Sequence, residues 1–382
     1  MAFWNLGNLF DTQSSAISSH LEFTPQRGWD DTAKEKKLEN LAKTINSLHN
    51  YQGPDLLGLC EIENEEMAQA LINKMGKQDI YSIAQYTNSP DIRGIDTCLI
   101  YSKEKFKFNY AKSYNIFFRY PTRDVFLANL TTMQNNSEIT VLVNHWPSRV
   151  GGRFETEPWR IGVAENCARA VEEVIKVSWD ELLELPDDLK KDENALAKLN
   201  QRWNRNILIM GDLNDNPYDR SVLNYLHATC DKNRLIDWKE IFGHPSLKRG
   251  YMKDQTDKHN YLSQFAFLYN CMWNLIPGGT IFYDEGFDLF DQFIISKGLL
   301  YGKQGLKMDL DEVKIDKSTK MANHIAASMF DPTGKNKIHP VYKESPMRFE
   351  YTKKKAESGQ IENVSQAENR LLDLVIIFLS NQ

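Results

Sequence analysis

Three short runs of apolar residues constrain the fold more than any other feature of the chain. Residues 55–60, 139–144 and 206–210 are rich in Leu, Ile, Val or Met and are too short for long helices. Runs of this length and composition are typical of strands that are buried on both faces. Each run is followed, directly or after one glycine, by a polar residue capable of chemistry: Glu61, His145 and Asp212. Because functional sites are commonly built at strand ends, these three residues are the first candidates for a site.

The hydrophobic pattern around these runs predicts further helices and strands. Asp30 and Asp31 precede residues 38–48, in which Leu and Ile recur at helical spacing, and residues 67–75 and 154–176 are also helical in pattern. Strands are predicted at residues 81–85, 97–101 and 126–130, as a pair at 281–282 and 290–296, and as a final core strand at 371–379. Strand, helix and strand alternate early, and several strands then follow one another. We therefore predict an α+β fold, a four-layer α/β/β/α sandwich of two packed mixed β-sheets with helices outside.

Length and composition are those of a globular protein. With 382 residues, of which 41% are hydrophobic, the chain can bury a large core. We expect a single domain over residues 1–382, with a charged helical insertion at about residues 178–205 and a divergent, lysine-rich segment at about residues 302–382. The cysteines are scattered and lie mostly in apolar stretches, which predicts free thiols in a core: Cys60, Cys98, Cys167, Cys230 and Cys271.

Net charge and hydropathy argue against several classes of protein. A formal net charge of −6 and a pI near 5.8 give no global basic field, so tight nucleic-acid binding would need a local basic patch. No apolar run approaches the roughly 18 to 20 residues of a membrane span, and the N-terminus lacks the order of a signal peptide. We expect a monomer, cytoplasmic as the sequence is given. Residues 2–6 already have the pattern of a strand's end, so a truncated start, and with it a lost export signal, stays open.

The polar residues after the strands have the side chains of a hydrolytic site. Asp212 and Asn214 are two positions apart, so on an extended chain they project to one side, where they can hold a hard cation or orient a water. Each residue also has a simpler interpretation. Residues 211–217 are rich in turn formers, His145 is consistent with an ordinary hydrogen-bonded histidine, and Glu61 with a carboxylate at a helix start. Their joint occurrence after predicted buried strands favours a site.

Five segments, in order along the chain, resemble the motifs of the endonuclease/exonuclease/phosphatase superfamily. They are residues 4–11, 55–64, 144–152, 211–217 and 291–296. Residues 91–101 and 120–124 also resemble segments of bacterial members, and His-Trp-Pro-Ser-Arg at 145–149 favours the branch with histidine at that strand end. Pancreatic deoxyribonuclease, abasic-site endonucleases, inositol polyphosphate phosphatases and neutral sphingomyelinases belong to this superfamily. The resemblance extends from Met1 to about Ser296.

The resemblance implies a site built around one divalent cation. Mg²⁺ or Mn²⁺ would be held by Glu61 with help from Asn5, and would bind a phosphate oxygen and neutralise the charge that develops there. Asp212 would orient the attacking water. Asn214 and His145 would donate hydrogen bonds to the phosphoryl oxygens.

The resemblance also implies contacts with a substrate. We predict Arg123, Asn144 and Arg149 as substrate-binding residues. For the two arginines the reason is that the fork of a guanidinium matches phosphate oxygens. The simpler interpretation of either arginine is a surface residue. The predicted activity is metal-dependent hydrolysis of a phosphodiester, nuclease-like, on a phosphoester substrate for which DNA and RNA are candidates. A phosphatase or phospholipase acting on a small or lipid phosphoester is the alternative.

One motif of the superfamily is missing. Members close with Ser-Asp-His, whose histidine is supported by the carboxylate that Asp291 matches and usually transfers a proton. Here residues 364–367 have Gln and Ala at the Asp and His positions, and residues 370–372 match less well. Proton transfer by a positioned side chain contributes about 10²- to 10⁴-fold in rate, so its loss would slow hydrolysis without abolishing it. Three explanations stay open: an altered C-terminus, substitution by His324 or His339, or a catalytically impaired relative that binds phosphoesters without turnover.

Overall fold

Two stacked β-sheets form the centre of the computed structural model, which describes residues 1–13, 23–25, 28–86, 88–243, 256–283, 286–316 and 374–381. Within these residues the first sheet has six strands, in the order β14 (Leu306–Asp316), β15 (Leu374–Asn381), β1 (Ala2–Leu9), β2 (Leu56–Ile62), β4 (Asp96–Ser102) and β3 (Tyr81–Ile83). β1 and β2 run parallel, and the other neighbours run antiparallel. The predicted final strand is present as β15, next to β1.

The second sheet is also mixed. Within the same described ranges it has seven strands, in the order β5 (Phe106–Tyr114), β6 (Val125–Thr132), β7 (Glu138–His145), β8 (Ile207–Asp212), β13 (Asp291–Ile295), β10 (Leu268–Asn270) and β9 (Ala228–Thr229). β7 runs parallel to β8, and β9 to β10. The predicted pairing of residues 281–282 with 290–296 is wrong. β11 (Ile281–Tyr283) forms a hairpin with its nearest neighbour in sequence, β12 (Gly286–Asp288), whereas β13 lies between β8 and β10.

Helices cover the outer face of each sheet. α1 (Asp31–Tyr51) and α2 (Glu65–Lys74) pack on the first sheet, where Leu41 and Leu71 contact the cluster that contains Trp4 and Leu59. The helices that pack on or lie beside the second sheet are α3 (Arg153–Ile175), α4 (Trp179–Leu183), α5 (Glu193–Trp203), α6 (Trp238–Gly243), α7 (Asp257–Ser263) and α8 (Lys297–Tyr301). A third hydrophobic cluster fills the space between the two sheets. The layers confirm the predicted α/β/β/α sandwich.

Local sequence explains where α1 begins. Asp30 is its N-cap, and the Asp30 side chain accepts a hydrogen bond from the Ala33 N–H. Leu38, Leu41 and Ile45 then recur on one face and are buried against the sheet. Backbone hydrogen bonds at the cap and an apolar face against the sheet together account for this helix, since helices of ordinary sequence are stabilised mainly by tertiary packing.

The charged segment at residues 178–205 forms α4, α5 and a short 3₁₀ turn between them at Leu189–Lys191. Its apolar side chains join the core beside α3: Leu182, Leu189, Leu196, Leu199 and Trp203. One side of the segment is therefore buried in the core, which its charged composition did not predict.

Four of the five cysteines have buried side chains, whereas Cys230 is exposed. The expectation of core thiols is thus wrong for Cys230, which lies directly after the short strand β9. No helix in the described ranges is long and apolar enough to cross a bilayer.

Alternation along the strands decides which side chains reach the space between the sheets. In β7, Val141 and Val143 lie in the core between the sheets, and Leu142 lies in the cluster under the helices. Continued to the end of the strand, this alternation directs His145 inward and Asn144 toward the helices. The position of a residue along its strand thus determines whether it can contribute to a site between the sheets.

Candidate active site

Four polar side chains from the two sheets meet at one edge of the sandwich: Asn5, Glu61, His145 and Asp212. The Asn5 amide donates from Nδ2 to Asp212 Oδ2 at 3.0 Å and to Glu61 Oε1 at 3.4 Å. His145 Nε2 lies 3.8 Å from Glu61 Oε1 and 4.0 Å from Asp212 Oδ2. Residues separated by up to 207 positions in sequence are therefore within hydrogen-bonding or near-contact distance. We call these four residues the carboxylate cluster.

Strand alternation explains why three of the four residues converge. Asn5, His145 and Asp212 each lie two positions beyond an apolar side chain of the core between the sheets: Phe3, Val143 and Met210. Because side chains two positions apart on a strand face the same side, all three polar groups point between the sheets. The ends of the parallel pair β1 and β2 and of the parallel pair β7 and β8 meet at this edge.

Glu61 reaches the cluster through an irregularity in β2. Cys60 faces the core between the sheets, so simple alternation would direct Glu61 toward the helices. Instead the register with β4 shifts between Cys60 and Ile62, and Glu61 has a φ of 63°. A left-handed backbone at a non-glycine residue costs of order 1–3 kcal/mol and is found most often at functional sites. The bulge re-aims the carboxylate into the cluster.

The charge of Asp212 is not fully balanced by its neighbours. Burial, with a further contribution from the Glu61 carboxylate, raises the pKa of Asp212 to about 6, against the effect of hydrogen bonds from the Asn5 amide and the Asn214 N–H. The Asn214 N–H donates to Asp212 Oδ1 at 2.9 Å. Burial and the second carboxylate of the cluster therefore both make the ionised form of Asp212 less favourable.

The surroundings of His145 favour the neutral imidazole. Burial, together with the charges of Arg123 and Arg93, lowers its pKa well below the usual range. Its contacts with the two carboxylates are therefore not ion pairs. Among the described residues His145 Nδ1 has no hydrogen-bond partner. A neutral imidazole has one N–H to donate and one nitrogen to accept with, and Nε2 is the nitrogen that faces the two carboxylates.

The donor set of the cluster suits a hard divalent cation. Glu61 and Asp212 supply carboxylate oxygens, the ligands that Mg²⁺ and Mn²⁺ prefer. Asn5 Oδ1 accepts a hydrogen bond from the Gly7 N–H at 3.0 Å, so Asn5 turns its NH₂ toward the carboxylates and would contact a cation through oxygen only with the amide reversed. The described residues contain no group of three or more His, Cys, Asp or Glu arranged to hold a metal. Mg²⁺ usually binds one or two carboxylates and keeps several waters.

Lys37 supports the end of β1, and sequence reasoning missed it. Its side chain is buried in α1, and Nζ donates to Gly7 O at 2.6 Å and to Asn8 O at 2.8 Å. Burial lowers the pKa of Lys37 to about 7, with the Glu61 carboxylate acting in the opposite direction. Gly7 and Asn8 both have positive φ, and the register of β1 with β2 shifts between Asn5 and Leu9, so Lys37 binds the carbonyls of an irregular part of β1 directly after Asn5. A lysine among the apolar positions of a predicted helix is the signal that would have identified it.

Asn214 and Asn144 lie close to the cluster but face other groups. Asn214 Nδ2 donates to Trp146 O at 3.0 Å, which ties the segment after β8 to the segment after β7. Asn144 is fully buried and accepts a hydrogen bond from the Trp146 indole at 3.2 Å. Because Asn144 faces the helices, its side chain supports the site from behind and does not reach the position where a substrate would bind.

Arg123 is buried beneath the cluster. Its guanidinium donates to Asp91 Oδ2 at 2.7 Å, to His145 O at 3.1 Å and to Trp146 O at 2.7 Å. Each of its three nitrogens is therefore engaged by the protein. The arrangement holds the backbone of His145, and the predicted phosphate clamp would require these contacts to break.

Arg149 is held in the same way. Its NH2 contacts Asp215 Oδ1 at 3.1 Å and Asp219 Oδ2 at 2.6 Å, and its Nε donates to Asn214 O at 2.8 Å. The guanidinium also lies over the Phe290 ring, with 4.4 Å from Cζ to the ring centroid. We interpret Arg149 as a brace for the segment after β8, in place of the predicted phosphate clamp.

Asp291 is adjacent to Asp212 across β13 and β8, where the two residues pair in register. It is buried, and its backbone N–H donates to Thr280 Oγ1 at 3.1 Å. The candidates for the proton-transferring histidine that the superfamily places beside this carboxylate lie outside the described residues: His324, His339, residues 364–367 and residues 370–372.

Sequence reasoning also missed two buried charged residues around the site. Asp91 pairs with Arg123, and Arg160 Nε lies 2.8 Å from Asp215 Oδ2. Arg160 is fully buried in α3. Nothing in their local sequence marks either residue, because their partners are distant along the chain.

Comparison with known proteins bears on the family of the chain. A model described as the Endonuclease/Exonuclease/phosphatase family matches residues 1–250. Similar solved structures include the human Nocturnin catalytic domain with bound sulfate, at a TM-score of 0.45 and 14% identity over 90% of this chain and 87% of that one. Truncated Caenorhabditis elegans TDP2 has a TM-score of 0.40 and 16% identity, over 74% of this chain and 84% of that one. A mannosyl-6-phosphatase of Bacteroides thetaiotaomicron has a TM-score of 0.44 and 10% identity, over 83% of this chain and 92% of that one. No curated protein matches. Since the family model matches well over half of the 382 residues, the chain belongs to the endonuclease/exonuclease/phosphatase family.

Proposed function

We propose that the protein hydrolyses a phosphodiester, in the manner of a nuclease, with Mg²⁺ or Mn²⁺ as its cofactor. The observation that carries the proposal is the carboxylate cluster. Two carboxylates from different sheets share one amide donor, with a neutral histidine within 4.0 Å of both. Membership of a family of phosphoester hydrolases supports the same chemistry.

Glu61 would hold the cation, with Asp212 bordering the same space. When bound, the cation would polarise a phosphoryl oxygen and neutralise the charge that develops on it. The side chains of the chain would supply the remaining steps. Ionised Asp212 would accept a hydrogen bond from the attacking water and orient it toward phosphorus, while the Asn214 N–H holds the carboxylate in place.

His145 would stabilise the transition state. As a neutral imidazole it can donate its N–H to a phosphoryl oxygen, and a preorganised donor in a buried site is most effective where charge accumulates. Arg123, which donates to the carbonyl of His145, would act as a positioning residue. We assign Arg149 the same kind of role, through the Asn214 carbonyl.

The proton-transfer step has two candidate residues, His324 and His339, and Asp291 is positioned next to Asp212 to support such a partner. If neither histidine acts, the protein would bind phosphoesters and turn them over slowly, because proton transfer contributes about 10²- to 10⁴-fold. The absent Ser-Asp-His motif is the observation that favours this catalytically impaired alternative.

The proposal is tested with purified protein on separate substrates: an oligonucleotide, plasmid DNA, a nitrophenyl diester, a sugar phosphate and sphingomyelin. We expect Mg²⁺ or Mn²⁺ to support hydrolysis of the diesters and EDTA to stop it. Asp212→Ala should lower kcat by about 10²-fold or more. Asp311→Ala, the same change at an exposed aspartate on β14, is the matched control and should retain full activity.

Circular dichroism should show that Asp212→Ala remains folded. Turnover of the sugar phosphate or of sphingomyelin alone would replace the nuclease-like assignment by the phosphatase or phospholipase alternative. Absence of metal-dependent turnover on every phosphoester would refute the enzymatic proposal.

A further inference from the structure

A pocket of about 370 Å³ opens beside the segment that follows β7. Its volume is within the range of sites that bind small organic groups, roughly 300–1,000 Å³. Arg123, whose guanidinium binds the carbonyls of His145 and Trp146, is part of its lining, and so is Pro147. The pocket is therefore continuous with the strand end that carries His145. We call it the aromatic pocket, after the side chains that form its walls: Ile92, Phe118, Tyr120, Val150 and Trp159.

The rim of the aromatic pocket exposes an unusual amount of apolar surface. Tyr120 is 59% exposed, Trp159 41% and Val150 78%. Three segments surround the pocket: residues 91–93, 117–123 and 147–159. In the part of the chain that the structure describes, they carry six of the large hydrophobic side chains that are exposed: Ile92, Phe117, Tyr120, Val150, Phe154 and Trp159. A local concentration of exposed apolar side chains, rimmed by polar ones, marks a binding surface.

The walls of the pocket are preformed. The rings of Tyr120 and Trp159 are in edge contact, with 6.4 Å between centroids and 70° between planes. Phe118 packs directly on α3 at Gly162, where a Cβ would lie 2.7 Å from Phe118 Cε1. Because a glycine of α3 receives this ring, the segment after β5 is held against the helix that carries Trp159.

Charge and hydrogen-bonding groups indicate the kind of occupant. Two arginines and one aspartate line the pocket, so its formal charge is positive: Arg93, Arg123 and Asp91. The hydroxyl-bearing residues Thr122 and Ser148 add polar groups to its lining. An occupant with flat apolar faces, polar edges and an attached negative charge fits this combination. A nucleobase linked to a phosphate has all three properties, whereas a lipid chain has no groups that could hydrogen-bond to the polar side chains.

We propose that the aromatic pocket binds an unpaired nucleobase of a single-stranded nucleic acid, next to the phosphate that lies at the carboxylate cluster. This inference deepens the proposed function and rests on it. Stacking of a base on an aromatic side chain is sequence-tolerant, because every base has a flat apolar face. A base in a duplex has both faces stacked and its edges paired, so only an unpaired base can enter. A local site of this kind also suits a protein with a net charge of −6, which lacks a global basic field.

The test measures binding without turnover. Fluorescence anisotropy in EDTA compares a labelled short oligothymidylate with an abasic chain of the same number of phosphates. We expect the oligothymidylate to bind more tightly to the unaltered protein. Trp159→Ala should weaken oligothymidylate binding by about 10-fold and leave abasic binding unchanged, the loss expected for one stacked base.

The controls separate stacking from disruption of the fold. Trp179→Ala removes a tryptophan that is 57% exposed on α4, outside the pocket, and should leave binding unchanged. Alanine is a good helix former, so Trp159→Ala on α3 should remain folded. Gly162→Ala, which displaces Phe118, should weaken oligothymidylate binding by a second route.

Three results would overturn the inference. They are equal binding of the abasic chain and the oligothymidylate, unchanged binding by Trp159→Ala, and Trp159-dependent binding to phosphatidylcholine and phosphatidylserine vesicles with no binding of the oligothymidylate. Hydrolysis of diesters with no base-dependent binding refutes the inference alone. Base-dependent binding with no metal-dependent hydrolysis supports the inference and refutes only the proposed function.

Discussion

Arg149→Met is the substitution that distinguishes a brace from a phosphate clamp. The Arg149 side chain is 3% exposed and contacts Asp215 and Asp219, whose side chains are 2% and 10% exposed. Removing one partner of a buried ion pair costs about 3–5 kcal/mol, because a buried charge is left uncompensated. Asp215 retains Arg160 at 2.8 Å and Asp219 retains Arg153, so we expect a loss near the lower limit, about 3 kcal/mol.

Urea unfolding at neutral pH measures this loss as a shift of the midpoint at constant m-value. Arg153→Met is the matched control. The Arg153 side chain is 45% exposed and contacts the same Asp219, so its removal should cost at most about 1 kcal/mol.

The reasoning is refuted if Arg149→Met unfolds within about 0.5 kcal/mol of the unaltered protein while KM for a diester rises at unchanged kcat. That outcome would mean that the guanidinium binds substrate, as the sequence alone suggested. Loss of stability and of kcat together would support the brace.

Two further predictions concern the scaffold. Burial raises the pKa of Asp96 to about 6, so Asp96→Asn should stabilise the protein by up to about 3 kcal/mol at pH 8 and by much less at pH 4, measured as thermal unfolding at both pH values. Gly211→Ala should destabilise the protein by about 1–3 kcal/mol or more in urea, because a Cβ there would lie 2.2 Å from Asn144 O. Gly243→Ala is its control, since no atom of the residues that the structure describes lies within 4 Å of a Cβ at that position, and its effect should stay within about 0.5 kcal/mol.

The direction in which Asp96 makes stability change with pH follows from proton binding. Its carboxyl ionises near pH 3.8 when unfolded and near pH 6 when folded. Between these values the folded state holds a proton that the unfolded state has lost, so stability falls as pH rises through this window. Above pH 6 the folded protein bears the full cost of a buried charge, which asparagine removes. If Asp96→Asn stabilised the protein equally at pH 4 and pH 8, this account of Asp96 would be contradicted. Equal losses of stability for Gly211→Ala and Gly243→Ala would contradict the steric explanation for Gly211.

Much of the fold and the centre of the site could be predicted from the sequence. Buried strands have a continuous apolar composition, and helices show their own period, so the two sheets and the helices that cover them were recognisable. His145 and Asp212 were identifiable as strand-end residues and Asn5 from the family motif at residues 4–11, and alternation from Phe3, Val143 and Met210 would have shown that all three face the same space.

Other features were beyond local pattern. Asn144 and His145 are adjacent on β7 and follow the same apolar run. Because adjacent side chains on a strand point to opposite faces, Asn144 faces the helices and His145 does not. The left-handed backbone at Glu61 arises from a bulge against β4, and bulges have no reliable sequence signature. The partners of Arg123 and Arg149 are carboxylates and carbonyls brought near by the packing of distant segments, so surface arginines and buried braces look alike in sequence.

The sequence by itself therefore determined the layers of the fold, the family motifs and the residue types available for catalysis, because these depend on composition and period along the chain. Tertiary structure decided which of those residues converge. It joined Glu61 to Asp212 across two sheets through Asn5, gave Arg123 and Arg149 buried partners within the protein, and assembled an aromatic pocket from three separate segments. The physical reason is that contact between residues far apart in sequence depends on strand register, bulges and sheet stacking, which local sequence patterns do not encode.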